Sequence, residues 1–192
     1  MPLILASASP RRAELLRHAA IAFTVEPALV AEQPFTNERP LGYTQRLARD
    51  KARTVYARHP DRAVLGADTV VVIDEQLLEK PSDEHDAARM LRLLAGRTHQ
   101  VITGVYLVAP AFERTEAEIT QVSFAPLSED EIAYYIQTRE PMDKAGAYAI
   151  QGIASRWVER IEGCYFNVVG LPLPRVYRML QAARVATGTR LL

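Results

Sequence analysis

The 192-residue sequence contains a single cysteine, Cys164, and equal numbers of basic and acidic residues, 23 of each. One cysteine excludes an internal disulfide framework and a metal cage built from cysteines. The balanced charge provides no net positive field that would hold a long polyanion, so no nucleic acid polymer is expected and a phosphate-bearing partner should be small. The hydrophobic content of 48% is ample for the core of one large or two-lobed domain.

The sequence also lacks the features of membrane and exported proteins. No apolar run approaches the roughly 18 residues that a membrane-spanning helix needs. No basic segment followed by an apolar stretch opens the chain, as a secretory leader would. We therefore expect a cytoplasmic protein without a membrane partner.

The first dozen residues predict an apolar strand that runs directly into the start of a helix. Leu3 to Ala6 form the strand, Ser9 is a favourable N-cap, and Pro10 suits the first helical position. The free N–H groups of this helix start lie beside Arg11 and Arg12 and favour a phosphate or carboxylate ligand. On these residues alone, a capped helix with two solvated arginines is the alternative.

A carboxylate stands in the middle of the most apolar stretch of the chain. Ala63 to Ile73 are nearly all apolar or β-branched, which predicts a strand covered on both faces, and Asp68 lies within it. A buried carboxylate must be paired, bound to a metal or exposed in a cleft. Gly66, on the same face, should leave space for a ligand. A structural pairing with an arginine is the alternative to a catalytic or metal-binding role for Asp68.

Three further positions draw attention for their surroundings. Lys51 leaves a predicted helix from Pro40 to about Ala57 beside its apolar face, where a lysine either extends to water, which we favour on these residues alone, or reaches into a pocket. Pro81 favours an extended backbone at Lys80, which suits a side chain that projects in a fixed direction. The segment from Asp143 to Gly152 contains small residues with two charged residues before them and the amide of Gln151 after them. This pattern indicates a backbone that lies close to a ligand.

The other predicted elements follow from apolar periodicity and from capping residues. They are a strand from Phe23 to Pro27, a helix from Ser82 as cap to Gly96, strands at Val101 to Val108 and Glu118 to Phe124 with Glu113 in their connection, a helix with a capping box at Ser128, paired strands at Trp157 to Ile161 and Tyr165 to Val169, and a last helix with the inward stripe Leu173, Val176, Tyr177 and Leu180. A tail is expected from about 183 to 192.

Four stretches together, in this order and spacing, resemble the Maf family of nucleoside triphosphate pyrophosphatases: Ser7 to Arg12, Arg46 to Ala52, Gly66 to Val71 and Asp143 to Gly152. The resemblance extends from residue 3 to about 180 and includes Lys80-Pro81. The sequence Ala147-Tyr148-Ala149-Ile150-Gln151-Gly152 is similar to that of the subgroup that acts on dTTP and UTP.

The resemblance implies an α/β fold of the elongated Maf and inosine triphosphate pyrophosphatase type. A central twisted mixed sheet would be flanked by helices, with an active-site cleft between two lobes of one domain spanning 1–192. The implied activity is hydrolysis of dTTP and UTP to the monophosphate and pyrophosphate with Mg²⁺ or Mn²⁺, which would clear non-standard nucleotides. A homodimer is the candidate assembly.

The resemblance also implies roles for single residues. Asp68 takes the position of the proton acceptor, and Arg11, Thr69 and Gln151 take positions linked to base choice. A triphosphate is a concentrated negative charge, so cations and helix N–H groups should surround it. We assign that task to Ser9, Arg12, Lys51, Lys80 and Lys144. Glu32, Asp68 or both would hold the metal.

Three other functions stay open at this point. An inosine triphosphate pyrophosphatase or a 7-methyl-GTP pyrophosphatase would perform the same chemistry on other bases, and comparing the turnover of UTP with that of ITP or 7-methyl-GTP separates them. A protein of a different class, a regulator of cell division that senses nucleotides without catalysis, would release no pyrophosphate.

Overall fold

The computed structural model describes residues 1–185, and two compact units can be distinguished within the chain. Unit 1 contains Met1–Asp68, Thr103–Glu118 and residues 170–185. Unit 2 contains Thr69–Ile102 and Ile119–Val169. Most of the expected tail, residues 186–192, lies outside the described residues.

Among the described residues, seven strands form one mixed sheet. They are β1 (Leu3–Leu5), β2 (Phe23–Val25), β3 (Ala63–Ile73), β4 (Gln76–Leu78), β5 (Thr98–Ala109), β6 (Phe112–Phe124) and β7 (Val158–Glu162). The order is β2-β1-β3-β5-β6-β7, with β4 beside β3. β1 is parallel to β2 and β3, whereas β4 and β7 run antiparallel to their neighbours. The expected α/β class with a mixed sheet is confirmed.

In the part of the chain that the structure describes, six α-helices accompany the sheet: α1 (Pro10–His18), α2 (Pro40–Tyr56), α3 (Glu84–Leu94), α4 (Glu129–Gln137), α5 (Tyr165–Val169) and α6 (Leu173–Ala182). Short 3-10 turns cover Glu140–Asp143, Ala145–Ala147 and Ile153–Trp157. Within residues 1–185, the helices fall short of the length and apolar character that crossing a membrane requires.

In unit 1, the backbone of α2 lies in direct contact with the backbones of β3 and β5. A Cβ atom on Gly66 of β3 would lie 2.0 Å from the carbonyl oxygen of Ala48, and one on Gly104 of β5 would lie 2.4 Å from that of Thr44. Only glycine permits this approach, because real Cβ atoms keep a much larger distance. The space that we expected for a ligand at Gly66 is therefore filled by α2, and that prediction is wrong.

In unit 2, capping side chains define the starts of two helices. Asp83 caps α3 by accepting a hydrogen bond from Asp86 N at 2.7 Å, so the cap lies one residue after the predicted Ser82. The capping box of α4 is confirmed, since Ser128 and Glu131 each bond the other's backbone N–H. The buried face of α4 carries Ile132, Tyr135 and Ile136, as expected.

The segment Tyr165–Val169 is helix α5, so the prediction of a strand there is wrong. Its valines suggested a strand, but Asn167 points into unit 2, where its amide Nδ2 donates to Val101 O and to Thr120 Oγ1, both at 2.9 Å. β5 and β6 are also longer than expected, which places Glu113 inside β6 rather than in the connection. In α6, Tyr177 is 41% exposed, so the predicted inward stripe is wrong at this position.

Candidate active site

In unit 1, the ammonium group of Lys51 lies between two carboxylates. Nζ donates to Asp68 Oδ1 at 2.7 Å and lies 2.5 Å from Glu32 Oε1. The side chains of Lys51 and Asp68 are 10% and 11% exposed, and that of Glu32 is 46% exposed. The expectation that Lys51 extends to water is therefore wrong, because two carboxylates compensate its charge inside unit 1.

Contacts from α2 fix the loop that carries Glu32. Tyr43 Oη donates to the carbonyl oxygen of Glu32 at 3.0 Å, and Arg46 Nη2 donates to that of Gln33 at 3.0 Å. Arg46 is itself held by Glu38, at 2.6 and 2.7 Å. Tyr43, Arg46 and Glu38 were not predicted as supporting residues, although Arg46 belongs to one of the four stretches that resemble the Maf family. Their effect is that α2 presents Lys51 and also positions one of its two partners.

Burial raises the pKa of Asp68, and the positive charges of Lys51 and Arg12 oppose that shift. A carboxylate with a raised pKa is a stronger proton acceptor than an exposed one. Asp68 therefore combines the shielded position and the basicity that a general base requires. Its neighbouring cations could bind the oxygens of an anionic substrate.

The start of α1 differs from the expected cap. Ser9 occupies the N-cap position without a capping bond from its side chain, and its N–H donates to Ser7 Oγ at 3.2 Å. Ser7, which was not predicted as a site residue, also accepts a hydrogen bond from Arg12 Nη1 at 3.0 Å. Arg12 further donates to Ala67 O at 2.9 Å and to Gly170 O at 2.8 Å. Unit 1 thus brings Arg12 next to the backbone that precedes Asp68.

Two of the remaining predicted residues are half-buried at the ends of segments already described. Arg11 lies in the first turn of α1 in unit 1, and Thr69 is the first residue of unit 2, directly after Asp68 in the chain. Neither is assigned to a ligand by its position alone.

The other three predicted residues lie in unit 2. Lys80 is exposed and precedes the buried Pro81. The ammonium of Lys144 forms an ion pair with Asp143 and donates to the carbonyl oxygen of Glu140 at 3.2 Å. Gln151 is exposed. Lys80 and Gln151 are therefore exposed on unit 2, whereas the side chain of Lys144 is only 13% exposed and already paired.

Packing within unit 2 accounts for two of the small residues between Asp143 and Gly152. A Cβ atom on Gly146, whose φ is +69°, would lie 2.8 Å from the side chain of Val71. One on Gly152 would lie 2.0 Å from the carboxylate of Glu140. Residues 146 and 152 are therefore glycine because other protein groups pack closely against them, and not because a ligand approaches them.

The donor set around Lys51 fits a hard divalent cation. Glu32 and Asp68 offer carboxylate oxygens that already share one cationic group. Mg²⁺ is commonly held by one or two carboxylates together with substrate phosphates and water. Among residues 1–185, no group of three or more His, Cys, Asp or Glu side chains is arranged for a metal ion. A metal here would therefore depend on substrate oxygens to complete its ligands.

Comparison with known proteins places the chain among relatives of nearly the same length. The family described as Maf-like protein matches residues 2–183. A dTTP/UTP pyrophosphatase of Koribacter versatilis (strain Ellin345) is 62% identical over 185 residues, 96% of each chain. A dTTP/UTP pyrophosphatase of Symbiobacterium thermophilum is 52% identical over 178 residues, 93% of this chain and 92% of its own.

A solved structure supports the fold at lower sequence similarity. The Ham1 protein of Staphylococcus aureus aligns over 95% of this chain and 100% of its own, with a TM-score of 0.55 and 12% identity. This similarity concerns the fold alone. The match over residues 2–183 and the identities of 62% and 52% to full-length relatives show that the chain belongs to the Maf family.

Proposed function

We propose that this protein hydrolyses dTTP and UTP to the corresponding monophosphate and pyrophosphate. The structural observation that carries the proposal is the buried Asp68 carboxylate, whose pKa is raised and whose partner Lys51 is shared with Glu32. The names of the relatives at 62% and 52% identity supply the reaction and the bases. The protein is then a hydrolase acting on a phosphoanhydride.

The reaction requires mainly neutralisation of charge and positioning. A nucleoside triphosphate carries about four negative charges, which repel an incoming nucleophile. Asp68 accepts a proton from water as the water oxygen bonds to the α-phosphorus and the bond between that phosphorus and the bridging oxygen breaks. Pyrophosphate leaves with the electron pair of the broken bond. Arg12 and Lys51 of unit 1 stabilise the phosphate charge, together with the N–H groups in the first turn of α1, which follows Ser9.

A divalent cation, Mg²⁺ or Mn²⁺, would be held by Glu32 and Asp68. When bound, it would neutralise charge on the phosphate oxygens. The role of Glu32 is then to supply a second carboxylate, which Tyr43 and Arg46 orient through its backbone and that of Gln33.

Residues of unit 2 are proposed to bind the rest of the substrate. Lys80 and Lys144 contribute positive charge for the phosphates. Gln151 and Thr69 offer the donor and acceptor groups that the O4 and N3 edge of uracil or thymine requires, and Arg11 of unit 1 adds to base choice. Contacts of this kind reject a base that lacks the matching groups. Clearance of non-standard nucleotides, a cytoplasmic location and a homodimer remain predictions.

The decisive experiment is the release of pyrophosphate by the purified protein with Mg²⁺. UTP and dTTP should be turned over well, and CTP, ITP and 7-methyl-GTP poorly. Preferred turnover of ITP or 7-methyl-GTP would assign the protein to another base class. Release of single inorganic phosphates would indicate a phosphatase, and binding of UTP without turnover would indicate a nucleotide sensor.

A further inference from the structure

Two side chains hold the backbone on both sides of the exposed Gln151. Tyr135 Oη accepts a hydrogen bond from Ala149 N at 3.1 Å, two residues before Gln151. The carboxylate of Glu140 accepts from Ile153 N, two residues after it, at 3.1 Å to Oε1 and 3.3 Å to Oε2. All five residues belong to unit 2. The backbone of the segment that presents Gln151 is therefore fixed on either side.

The two anchoring residues are joined to each other and packed firmly. Tyr135 Oη donates to Glu140 Oε1 at 2.8 Å, and Tyr135 is fully buried with its ring edge-to-face on Trp157, 5.1 Å between centroids. Gly152 lies so close to the Glu140 carboxylate that a Cβ atom would approach Oε1 to 2.0 Å. Trp157 Nε1 donates to Glu131 Oε1 at 3.1 Å, which adds a further anchor from α4.

We propose that Tyr135 and Glu140 are positioning residues that fix the backbone carrying Gln151 and thereby support the preference for uracil and thymine over cytosine. This inference rests on the proposed function. A glutamine amide carries a donor and an acceptor at its tip, so its power to discriminate depends on where the backbone places that tip relative to the edge of the base. Discrimination requires that the segment carrying the amide be held in one place. The bonds to Ala149 N and Ile153 N provide that restraint.

The test measures kcat/KM for UTP and for CTP in the Tyr135→Phe variant. Phenylalanine keeps the buried ring and removes the hydroxyl that bonds Ala149 N and Glu140. We expect the ratio of UTP to CTP to fall at least about fivefold, mainly through a higher KM for UTP. A Glu140→Gln variant, which keeps the volume but removes the charge, should lower the ratio in the same direction.

A matched control separates positioning from stability. Ser128→Ala removes the N-cap of the same helix, α4, without touching the groups that bond Ala149 and Ile153. It should lower the melting temperature and leave the UTP to CTP ratio unchanged. Amide hydrogen exchange at Ala149 should accelerate in Tyr135→Phe and stay protected in Ser128→Ala.

The outcomes distinguish the inference from the function on which it rests. If Gln151→Ala lowers the ratio and both Tyr135→Phe and Glu140→Gln leave it at the wild-type value, the positioning role is refuted and the function stands. If Gln151→Ala also leaves the ratio unchanged while UTP is hydrolysed, base choice lies elsewhere and the inference falls with the role of Gln151. If the wild-type protein releases no pyrophosphate from UTP, the proposed function itself fails.

Discussion

Replacing Asp68 by asparagine tests the proposed general base most directly. The substitution keeps the shape of the side chain and removes its charge and its basicity. Loss of a positioned general base lowers turnover by about 10²–10⁴-fold, so pyrophosphate release should fall by a factor in that range. Binding of UTP should persist, since the cationic groups are unchanged.

The structure also predicts how stability responds. Burial raises the pKa of Asp68, which means that its charged form is disfavoured in the folded protein despite its attraction to Lys51 and Arg12. A carboxylate whose folded pKa is raised stabilises the fold only at low pH, and this contribution is lost as the pH rises through the folded pKa. Asparagine therefore removes a charge that is costly at neutral pH. Lys51 keeps Glu32 at 2.5 Å, so its ammonium is not left buried alone.

The assay combines three measurements on the same metal-free preparation: melting temperature, UTP affinity and, after addition of Mg²⁺, pyrophosphate release. The melting temperature of Asp68→Asn should equal or exceed that of the wild type. Asp50→Asn is the matched control, because Asp50 is a half-buried carboxylate of α2 that lies 3.7 Å from Arg46 and 3.5 Å from Arg49. The control should retain full turnover. An active Asp68→Asn enzyme refutes the catalytic assignment, and an inactive one that melts much earlier shows a structural role.

Three further changes have distinct expected outcomes. In the Lys51→Met variant, Mn²⁺ should bind at least about tenfold more tightly in the absence of nucleotide, because the Lys51 ammonium competes with the metal for the same two carboxylates. Electron paramagnetic resonance measures this affinity. Weaker binding in the variant would show that Lys51 assembles the metal site. His99, whose Nε2 lies 2.8 Å from Tyr148 Oη, has its pKa lowered by burial from 6.5 to about 4. The free energy of unfolding should therefore fall by on the order of 3 kcal/mol as the pH falls from above 6.5 through about 4. His99→Gln should flatten this part of the pH profile of the melting temperature. An unchanged profile would contradict the assignment to His99. Gly152→Ala should destabilise by about 1–3 kcal/mol through collision with the Glu140 carboxylate. The same substitution should cost far less in a Glu140→Ala background, and strict additivity in chemical denaturation would refute the collision.

Local signals in the sequence were sufficient for most of the regular structure. The bounds of β3 agree with the apolar run from Ala63 to Ile73, and α4 begins where the Ser128 capping box indicates. These signals lie within a few residues of the element that they specify, so one sequence reveals them. Tyr165–Val169 shows the limit, because its valines favour a strand while a buried contact of Asn167 with distant strands accompanies a short helix.

The sequence identified the residues of the candidate site better than it identified the contacts between them. Asp68 was expected to be paired, bound to a metal or exposed in a cleft, but spacing along the chain could not identify Lys51 as its partner or place Glu32 on the same ammonium. Those contacts depend on where an irregular loop docks onto α2, through Tyr43 and Arg46. Long-range docking of this kind leaves no periodic signal in the sequence.

The glycines beneath α2 have a consequence for the chemistry as well as for the packing. Because Gly66 and Gly104 let the helix backbone touch two strands, the depth of α2 is set by steric contact between main chains. The separation of Lys51 from Asp68 is then fixed before any charge attracts another, and it should withstand changes in salt concentration that would loosen an ion pair at the surface. Even an alanine at either glycine would lift the helix and lengthen that separation. Two residues that carry no functional group thus set the distance between the Lys51 ammonium and the Asp68 carboxylate.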